Sequence, residues 1–251
     1  MSDALWVIIP AYNEEAGISD TLGALAAQQD SDFTLLVVDN GSTDDTCATI
    51  VDFAERHPEM RIHVLSEPVK GTGAAADTGM RHAIGEGAEL LARTDADCLP
   101  APDWTAQVRC GFASGLRLLS GELRPRTDEG VGRAQLLVVR AAVELASFAG
   151  RYRSGNQDPS YLGPYMMTPG CNMAITAELY IEAGGFPRTR IEDVHEDRAL
   201  VNAVRTITTD YGRRRTMRVY GSQRRVKAWG IVKTLQWYAD HRYRPELVDI
   251  R

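Results

Sequence analysis

Over its first hundred residues the chain alternates two patterns. Short runs of consecutive apolar residues give way to stretches whose apolar positions recur every three or four residues. Leu5, Trp6, Val7, Ile8 and Ile9 form an unbroken run stopped by Pro10, which predicts a strand buried on both faces. Residues 14–29 carry Ile18, Leu22 and Leu25 at helical spacing. Leu35, Leu36, Val37 and Val38 predict a second buried strand, closed by Asp39, Asn40 and Gly41. Ser42 or Thr43 can cap the next helix, with Asp44 and Asp45 in its first turn and Ile50, Val51 and Phe53 along it. A third strand is expected over 61–65, a Gly/Ala-rich turn and helix over 71–85, and a fourth strand over 89–94, running into Asp95, Ala96 and Asp97.

Strands alternating with helices imply βαβ units, hence an α/β fold with a predominantly parallel sheet flanked by helices. Such sheets bind ligands beyond the carboxyl ends of their strands. The polar residues gather there: 10–15 after the first strand, 39–43 after the second, Asp95 and Asp97 after the fourth. Beyond Pro100 the pattern is less regular, and no internal repeat or low-complexity segment is present.

At 251 residues, 44% apolar and 25% charged, the chain has the balance of a globular protein with a substantial core, not of a disordered or fibrous one. Cys47, Cys98, Cys110 and Cys171 are far apart and form no Cys-x-x-Cys pair. That speaks against a zinc site or disulfide scaffold and suits a reducing compartment. The start of the chain has no basic or long apolar region, so no secretory signal is expected. Residues 134–150 are the longest apolar stretch, but Arg140 and Glu144 interrupt it. It reads as a buried or partner-facing helix, too short and charged for a membrane span. A cytoplasmic location follows, with peripheral contact at the inner membrane surface left open.

The net charge of −6 hides an asymmetry. Residues 205–251 hold 12 Lys/Arg against 4 Asp/Glu, and the preceding part holds 16 against 30. We therefore expect a body over 1–205 and a basic, aromatic C-terminal tail over 206–251, packing on the site or closing over it. Such a tail is either simply solvated or meets something anionic: a diphosphate, a membrane surface or an acidic acceptor. No helix-turn-helix or zinc pattern accompanies it, so nucleic acid is not an expected partner. Trp229, Ile231, Val232, Leu235, Trp237 and Tyr238 could form an amphipathic face for core packing, a homodimer contact or membrane-surface docking.

Asp95-Ala96-Asp97 pairs two carboxylates just past a strand. Hard divalent cations such as Mg²⁺ and Mn²⁺ take such oxygen ligands and leave room for phosphate oxygens. Alternatively, the triplet is a capping turn before Pro100. Asp39 at a strand end can accept from a base imide N–H, or simply hold the turn at Gly41. Glu196-Asp197 can be a catalytic pair or the acidic start of the helix that follows. Glu192-Asp193 is a rival pair four residues earlier. His195 and His241 are candidate third metal ligands.

In this order the pieces resemble the family 2 glycosyltransferases of the GT-A fold. Residues 7–15 (Val-Ile-Ile-Pro-Ala-Tyr-Asn-Glu-Glu) are similar to that family's opening signature, 37–43 to its second and 70–79 to its third. Asp95-Ala96-Asp97 stands at its metal motif. Gly170-Cys171-Asn172-Met173-Ala174, Gly184-Gly185-Phe186, and Glu196-Asp197 with Leu200 repeat its later order. The resemblance covers residues 5–201. It implies hexosyl transfer from a UDP- or GDP-linked sugar to an acceptor hydroxyl on a saccharide, a lipid-linked molecule or a small metabolite, with Mn²⁺ or Mg²⁺ and with inversion.

By that resemblance Pro10, Ala11, Tyr12 and Glu14 line the nucleoside pocket and Gly71 belongs to the donor side. Asp39 holds the base, and Asp95 contacts the ribose or sugar. Asp97, with Asp95, serves the metal. Asp197 of the Glu196-Asp197 pair is the general base. The loop over 151–169 covers the acceptor. Three positions depart from the family's pattern: Asn40 stands where a second Asp is common, Asp77 where Asn is, and Ala76 where some members have Arg. Lys70 or an arginine of the tail would then supply the charge opposite the phosphates, as a lid with bidentate contacts.

Gly71-Thr72-Gly73-Ala74-Ala75-Ala76 also fits a dinucleotide fingerprint, but five residues separate it from Leu65 and it sits in the third unit, not the first. A sugar-nucleotide nucleotidyltransferase would share the sheet and the carboxylates, yet the first loop here is acidic rather than basic and Gly-rich. A non-catalytic nucleotide-sugar-binding domain is the third alternative.

Overall fold

The apolar runs become strands because each is covered on both faces. In the computed structural model, which describes residues 4–130, 150–188 and 195–239 with scattered positions between 132 and 148, all seven residues of β1 (Leu5–Ala11) are buried. Successive side chains of a strand point to opposite faces. Leu5, Val7 and Ile9 enter one core with Ile18, Leu22, Ile50, Phe53 and Trp104. Trp6 and Ile8 enter the other with Ala75, Met80, Tyr180 and Leu200.

The predicted order holds through the first half. β1 is followed by α1 (Ile18–Ala26), β2 (Thr34–Asp39), α2 (Thr46–Arg56), β3 (Arg61–Ser66), α3 (Thr72–Gly85) and β4 (Leu90–Thr94). β1 pairs in parallel with β2 on one side and β4 on the other, and β2 pairs in parallel with β3. The strand order reverses between β1 and β4, so the crevice at their carboxyl ends is the switch point where α/β sheets receive ligands. Two starts differ from expectation. α1 begins at Ile18, and α2 begins at Thr46 with no side-chain cap, because Ser42, Thr43 and Asp44 bond to the first loop instead.

The second half adds β5 (Cys98–Pro100), α4 (Trp104–Ala113), β6 (Leu118–Pro125), β7 (Asn172–Thr176), α5 (Ala177–Glu182), α6 (Glu196–Arg205), β8 (Tyr211–Gly221) and α7 (Arg224–Ala239). The full sheet has the order β3-β2-β1-β4-β7-β6-β8-β5. β7 runs antiparallel between β4 and β6, which turns the parallel half into a mixed one. Asn172 locks this region: its Oδ1 accepts from Trp104 Nε1 at 2.9 Å, and its Nδ2 donates to the carbonyls of Glu122 and Met217, both at 3.0 Å.

The segment expected as a tail from 206 opens with a strand of this sheet, so β8 lies within the body. Met217, Val219 and Gly221 are buried while Arg213 and Arg215 face outward, and β8 pairs with β6 and β5. The arginines on the outer face mask a period-2 strand pattern. α7 does follow as a helix, but Gly230 at φ 76° breaks it, so the amphipathic face drawn through residues 229–238 is not one continuous surface. Val232 is 70% exposed; the side chains of Leu235, Trp237 and Tyr238 lie outside the described residues. In the stretch over 134–150, Leu137, Leu145 and Phe148 are exposed, which fits the partner-facing alternative at those positions. No helix among the described residues is long and apolar enough to cross a membrane.

Candidate active site

Three loops after β1, β2 and β3 are stitched together by side chains that bond to one another's backbones. Asn13 N–H donates to Ser42 Oγ at 3.0 Å, Glu14 N–H to Thr46 Oγ1 at 2.8 Å, and Thr43 N–H returns to Asn13 Oδ1 at 2.8 Å. Asn13 adopts a positive φ of 51°, a conformation that Asn tolerates better than most residues. Pro10 and Ala11 lie opposite Val38 and Asp39 in the β1–β2 register. The buried Asp39 carboxylate accepts from the N–H groups of Gly41 and Ser42 at 3.1 Å, so the turn-holding alternative is met.

The departures at Asn40 and Asp77 have local reasons. Asn40 Nδ2 donates to the carbonyls of Glu67 and Val69, both at 2.8 Å, while its Oδ1 accepts from Gly71 N–H at 2.8 Å. A carboxylate there would face two carbonyl oxygens with no proton to give. Asp77 is buried in a network rather than open to a ligand: Arg81, Arg188 and the Tyr180 hydroxyl all donate to it. Arg188 also reaches Glu67 at 2.7 Å. Lys70 Nζ donates to the carbonyls of Asn40 and Gly41 and sits 3.9 Å from the centre of the Tyr12 ring.

Gly73 and Gly79 of the third signature admit protein rather than a ligand. A Cβ on Gly73 would lie 2.5 Å from the Pro187 carbonyl and 3.2 Å from Glu196 Cβ. One on Gly79 would lie 2.7 Å from Ile8 and 2.9 Å from Val38. These are contacts of helix packing, and at Gly73 they speak against the dinucleotide alternative.

Five carboxylates gather where the strands end, held by two arginines. Arg93, on β4 and only 1% exposed, contacts Asp95 Oδ1 at 3.3 Å and Glu196 Oε1 at 3.5 Å. Phe186 lies beneath its guanidinium, 5.2 Å from ring centre to Cζ. Arg93 thus joins the metal motif to the two later motifs. The strand pattern passes over it, and a lone charge inside an apolar strand (Leu90-Leu91-Ala92-Arg93) is the signal that marks it. Arg224, at the start of α7, grips Glu14 with both nitrogens of its fork, one of them 2.7 Å from Oε2. Its Nη2 is 3.1 Å from Asp97 Oδ2. Thr21 Oγ1 donates to the Ala96 carbonyl at 2.8 Å, pinning the Asp95-Ala96-Asp97 turn to α1.

Burial raises the Glu14 and Asp95 carboxyls above their ordinary range, partly offset by Arg224 and Arg93 respectively. Burial likewise raises Glu196 and Asp197. Asp197 stands in the first turn of α6, where its Oδ1 accepts from Arg198 N–H at 2.6 Å. Of the pair, Glu196 turns inward to Arg93, whereas Asp197 is only half-buried. His195 is the N-cap of α6. His241 and the rival pair Glu192-Asp193 lie outside the described residues.

A divalent cation of the Mg²⁺ type is usually held by one or two carboxylates together with substrate phosphates. No group of three or more His, Cys, Asp or Glu among the described residues converges on one metal position. Asp97, however, already faces a cationic group, the Arg224 guanidinium. The donor set therefore fits a cation held by Asp97 and a phosphorylated ligand.

Comparison with known proteins places this geometry. Residues 6–110 match the model of glycosyl transferase family 2. Glycosyltransferase AglE of Haloferax volcanii is 33% identical over 120 residues, covering 47% of this chain and 38% of that protein. A UDP-N-acetylglucosamine–dolichyl-phosphate N-acetylglucosaminyltransferase of Methanococcus voltae is 33% identical over 120 residues, covering 43% and 47%. The chain thus spans less than half the length of either relative. The mannosyltransferase PcManGT of Pyrobaculum calidifontis, solved with GDP-Man and Mn²⁺, superposes with a TM-score of 0.63 at 26% identity, over 86% of this chain and 56% of that one. Staphylococcus aureus TarS 1–349 shares the fold at a TM-score of 0.63 and 16% identity, over 92% of this chain and 64% of that one. The chain is thus similar to the family 2 glycosyltransferases over residues 6–110 and shares its fold with solved glycosyltransferases.

Proposed function

We propose that the chain transfers a hexosyl group from a UDP- or GDP-linked sugar to an acceptor hydroxyl, with a divalent cation and with inversion at the sugar carbon. The observation that carries this reading is the gathering of Glu14, Asp95, Asp97, Glu196 and Asp197 around two arginines at the switch point of the sheet. The GDP-Man and Mn²⁺ complex of PcManGT supports the donor class and the cation.

In this reading Pro10, Ala11, Tyr12, Gly71 and Asp39 border the nucleoside, Glu14 stands beside them, and Asp95 meets the ribose or sugar. Asp97, with Asp95, would hold Mn²⁺ or Mg²⁺, which when bound neutralises charge on the departing diphosphate. Arg224 then exchanges its carboxylates for phosphate oxygens, a planar fork suited to that contact. Asp197 takes the proton of the acceptor hydroxyl as that oxygen bonds to the sugar carbon and the bond to the diphosphate breaks. Its raised carboxyl pKa makes it a better base than an ordinary aspartate. Glu196 is a positioning residue acting through Arg93.

A thermal-shift panel of UDP, GDP, dTDP and NAD, each with and without Mn²⁺, tests the reading. A ligand that binds only the folded state raises its stability. We expect a metal-dependent shift with one nucleoside diphosphate. A shift with NAD alone, or with none of the four, would sink the proposal.

A further inference from the structure

A cavity of about 390 Å³ lies beside the C-terminal end of α6, at the other end of the helix from Asp197. Asp197 and Arg205 are eight residues apart, which at 1.5 Å per helical residue is about 12 Å. The cavity floor is built around Arg205, 3% exposed. Its guanidinium donates to the carbonyls of Asn156 and Gly163 at 2.9–3.2 Å and to Asn202 Oδ1 at 2.7 Å. One face of it lies 4.0 Å from the centre of the Tyr161 ring, and the Tyr165 ring is 5.7 Å away. Leu162 N–H donates to the Arg205 carbonyl and Tyr211 Oη to the Pro164 carbonyl, both at 2.8 Å. The loop that carries the tyrosines is therefore fixed before any ligand arrives.

Tyr165 connects the two ends. It lines the cavity, and burial together with the nearby Asp197 carboxylate pushes its phenol up to about 12. Tyr152, 72% exposed, offers a second ring to the cavity. Arg151, Gln157 and Asp158 line the same cavity. The Arg205 donors are spent on the loop, Gln157 Nε2 donates to the Arg151 carbonyl and Asp158 Oδ1 accepts from Ser160, so the groups left to a ligand are the Arg151 cation, the second Asp158 oxygen, the Gln157 amide oxygen and the phenols.

That mixture decides the ligand class. A phosphate would meet Asp158, and an isoprenoid chain would meet Arg151, Asp158 and Gln157. A sugar ring satisfies all of them, laying its C–H face on a tyrosine, an apolar body with a polar tip. Its hydroxyls both donate and accept. We propose that this cavity is a remote acceptor subsite that holds a saccharide unit at the far end of α6 from Asp197. The inference rests on the glycosyl-transfer reading above for the word acceptor, but the saccharide site is tested without transfer.

Saturation-transfer NMR on the full chain with maltotriose, cellotriose, chitotriose and mannotriose, and in parallel with farnesyl phosphate, reads it directly. We expect saturation transfer to at least one trisaccharide, reduced at least fivefold in Tyr152→Ala and in Tyr161→Ala, and retained in Tyr161→Phe. Tyr152 is exposed, so its variant keeps the fold even if Tyr161→Ala does not. The UDP or GDP shift should be the same in all variants. No binding of any trisaccharide, or equal binding in wild type and Tyr152→Ala, overturns the subsite while leaving the donor reading standing. Tyrosine-dependent binding of farnesyl phosphate alone overturns it in favour of a lipid phosphate. Saccharide binding with no nucleotide shift keeps the subsite and sinks the transferase reading instead.

Discussion

Arg93 and Arg224 perform the same electrostatic task in opposite ways. Each guanidinium joins two carboxylates from separate motifs: Asp95 and Glu196 for Arg93, Glu14 and Asp97 for Arg224. Arg93 belongs to a central strand and its side chain is 2% exposed. Arg224 stands outside the sheet with its side chain 29% exposed, six residues before the break at Gly230. A buried charge cannot leave without stranding its partners, whereas one at the rim can trade partners at little cost. The first arginine is therefore architecture, and under the proposed function the second is a counter-ion that a substrate replaces.

The largest effect should come from breaking the buried pair. Arg93→Leu leaves the buried Glu196 and the one-third-exposed Asp95 without a cation, and a stability loss of about 3–5 kcal/mol is expected in urea unfolding. A loss below about 1 kcal/mol would show that the carboxylates find water or protons instead. Next, Asp197→Asn should lower transfer by about 10²–10⁴-fold with nucleoside diphosphate binding intact; an unchanged rate moves the base elsewhere. Arg224→Ala strands only one buried carboxyl, Glu14, so its stability loss should be about 1–3 kcal/mol, smaller than at Arg93, yet donor binding should weaken roughly tenfold, the value of one charge-assisted hydrogen bond. Titration calorimetry with UDP or GDP separates these two readouts, and a large stability loss would erase the contrast between the arginines.

The smallest effect is on pH. Asp95, Glu196 and Asp197 hold protons more tightly folded than unfolded, because burial opposes their ionisation. Their contribution favours the fold below their unfolded pKa values and is lost as pH rises through the folded ones. The lowered carboxyls Glu67, Asp44 and Asp128 work the other way, but only as pH falls towards their ordinary range, so they add little slope between pH 7 and 5. The melting temperature should therefore rise modestly as pH falls over this window, and Glu196→Gln should flatten the rise. Transfer should go the other way, since a protonated Asp197 is no base. A melting temperature that falls over the same window would contradict the raised values.

β1, β2 and β4 of the parallel half were legible because each is built on a run of apolar residues that gives way to a polar turn, after Ala11, at Asp39 and at Asp95. β8 was not, because Arg213, Arg214, Arg215 and Arg218 dominate its composition while only Met217, Val219 and Gly221 turn inward. Candidate residues at strand ends were readable one by one. What joins them was not. Arg93 hides in a strand whose other residues are apolar or small, and Arg224 meets Glu14 across 210 positions of sequence. The departures at Asn40 and Asp77 suggested a weaker phosphate site; they are instead bonded into the scaffold, a distinction that depends on partners no local pattern contains.

Gly73 has a consequence for recombination between relatives. A single hydrogen at its Cα is what lets the Pro187 carbonyl and Glu196 approach α3 so closely. The stretch matched to the family and the stretch carrying the acidic pair are thus cut to fit one another at that atom. A chimera that grafts residues 170–205 onto a different amino-terminal half would inherit a working interface only where the recipient keeps glycine at this place. With alanine there, the acidic pair would be displaced from the crevice before any substrate is chosen.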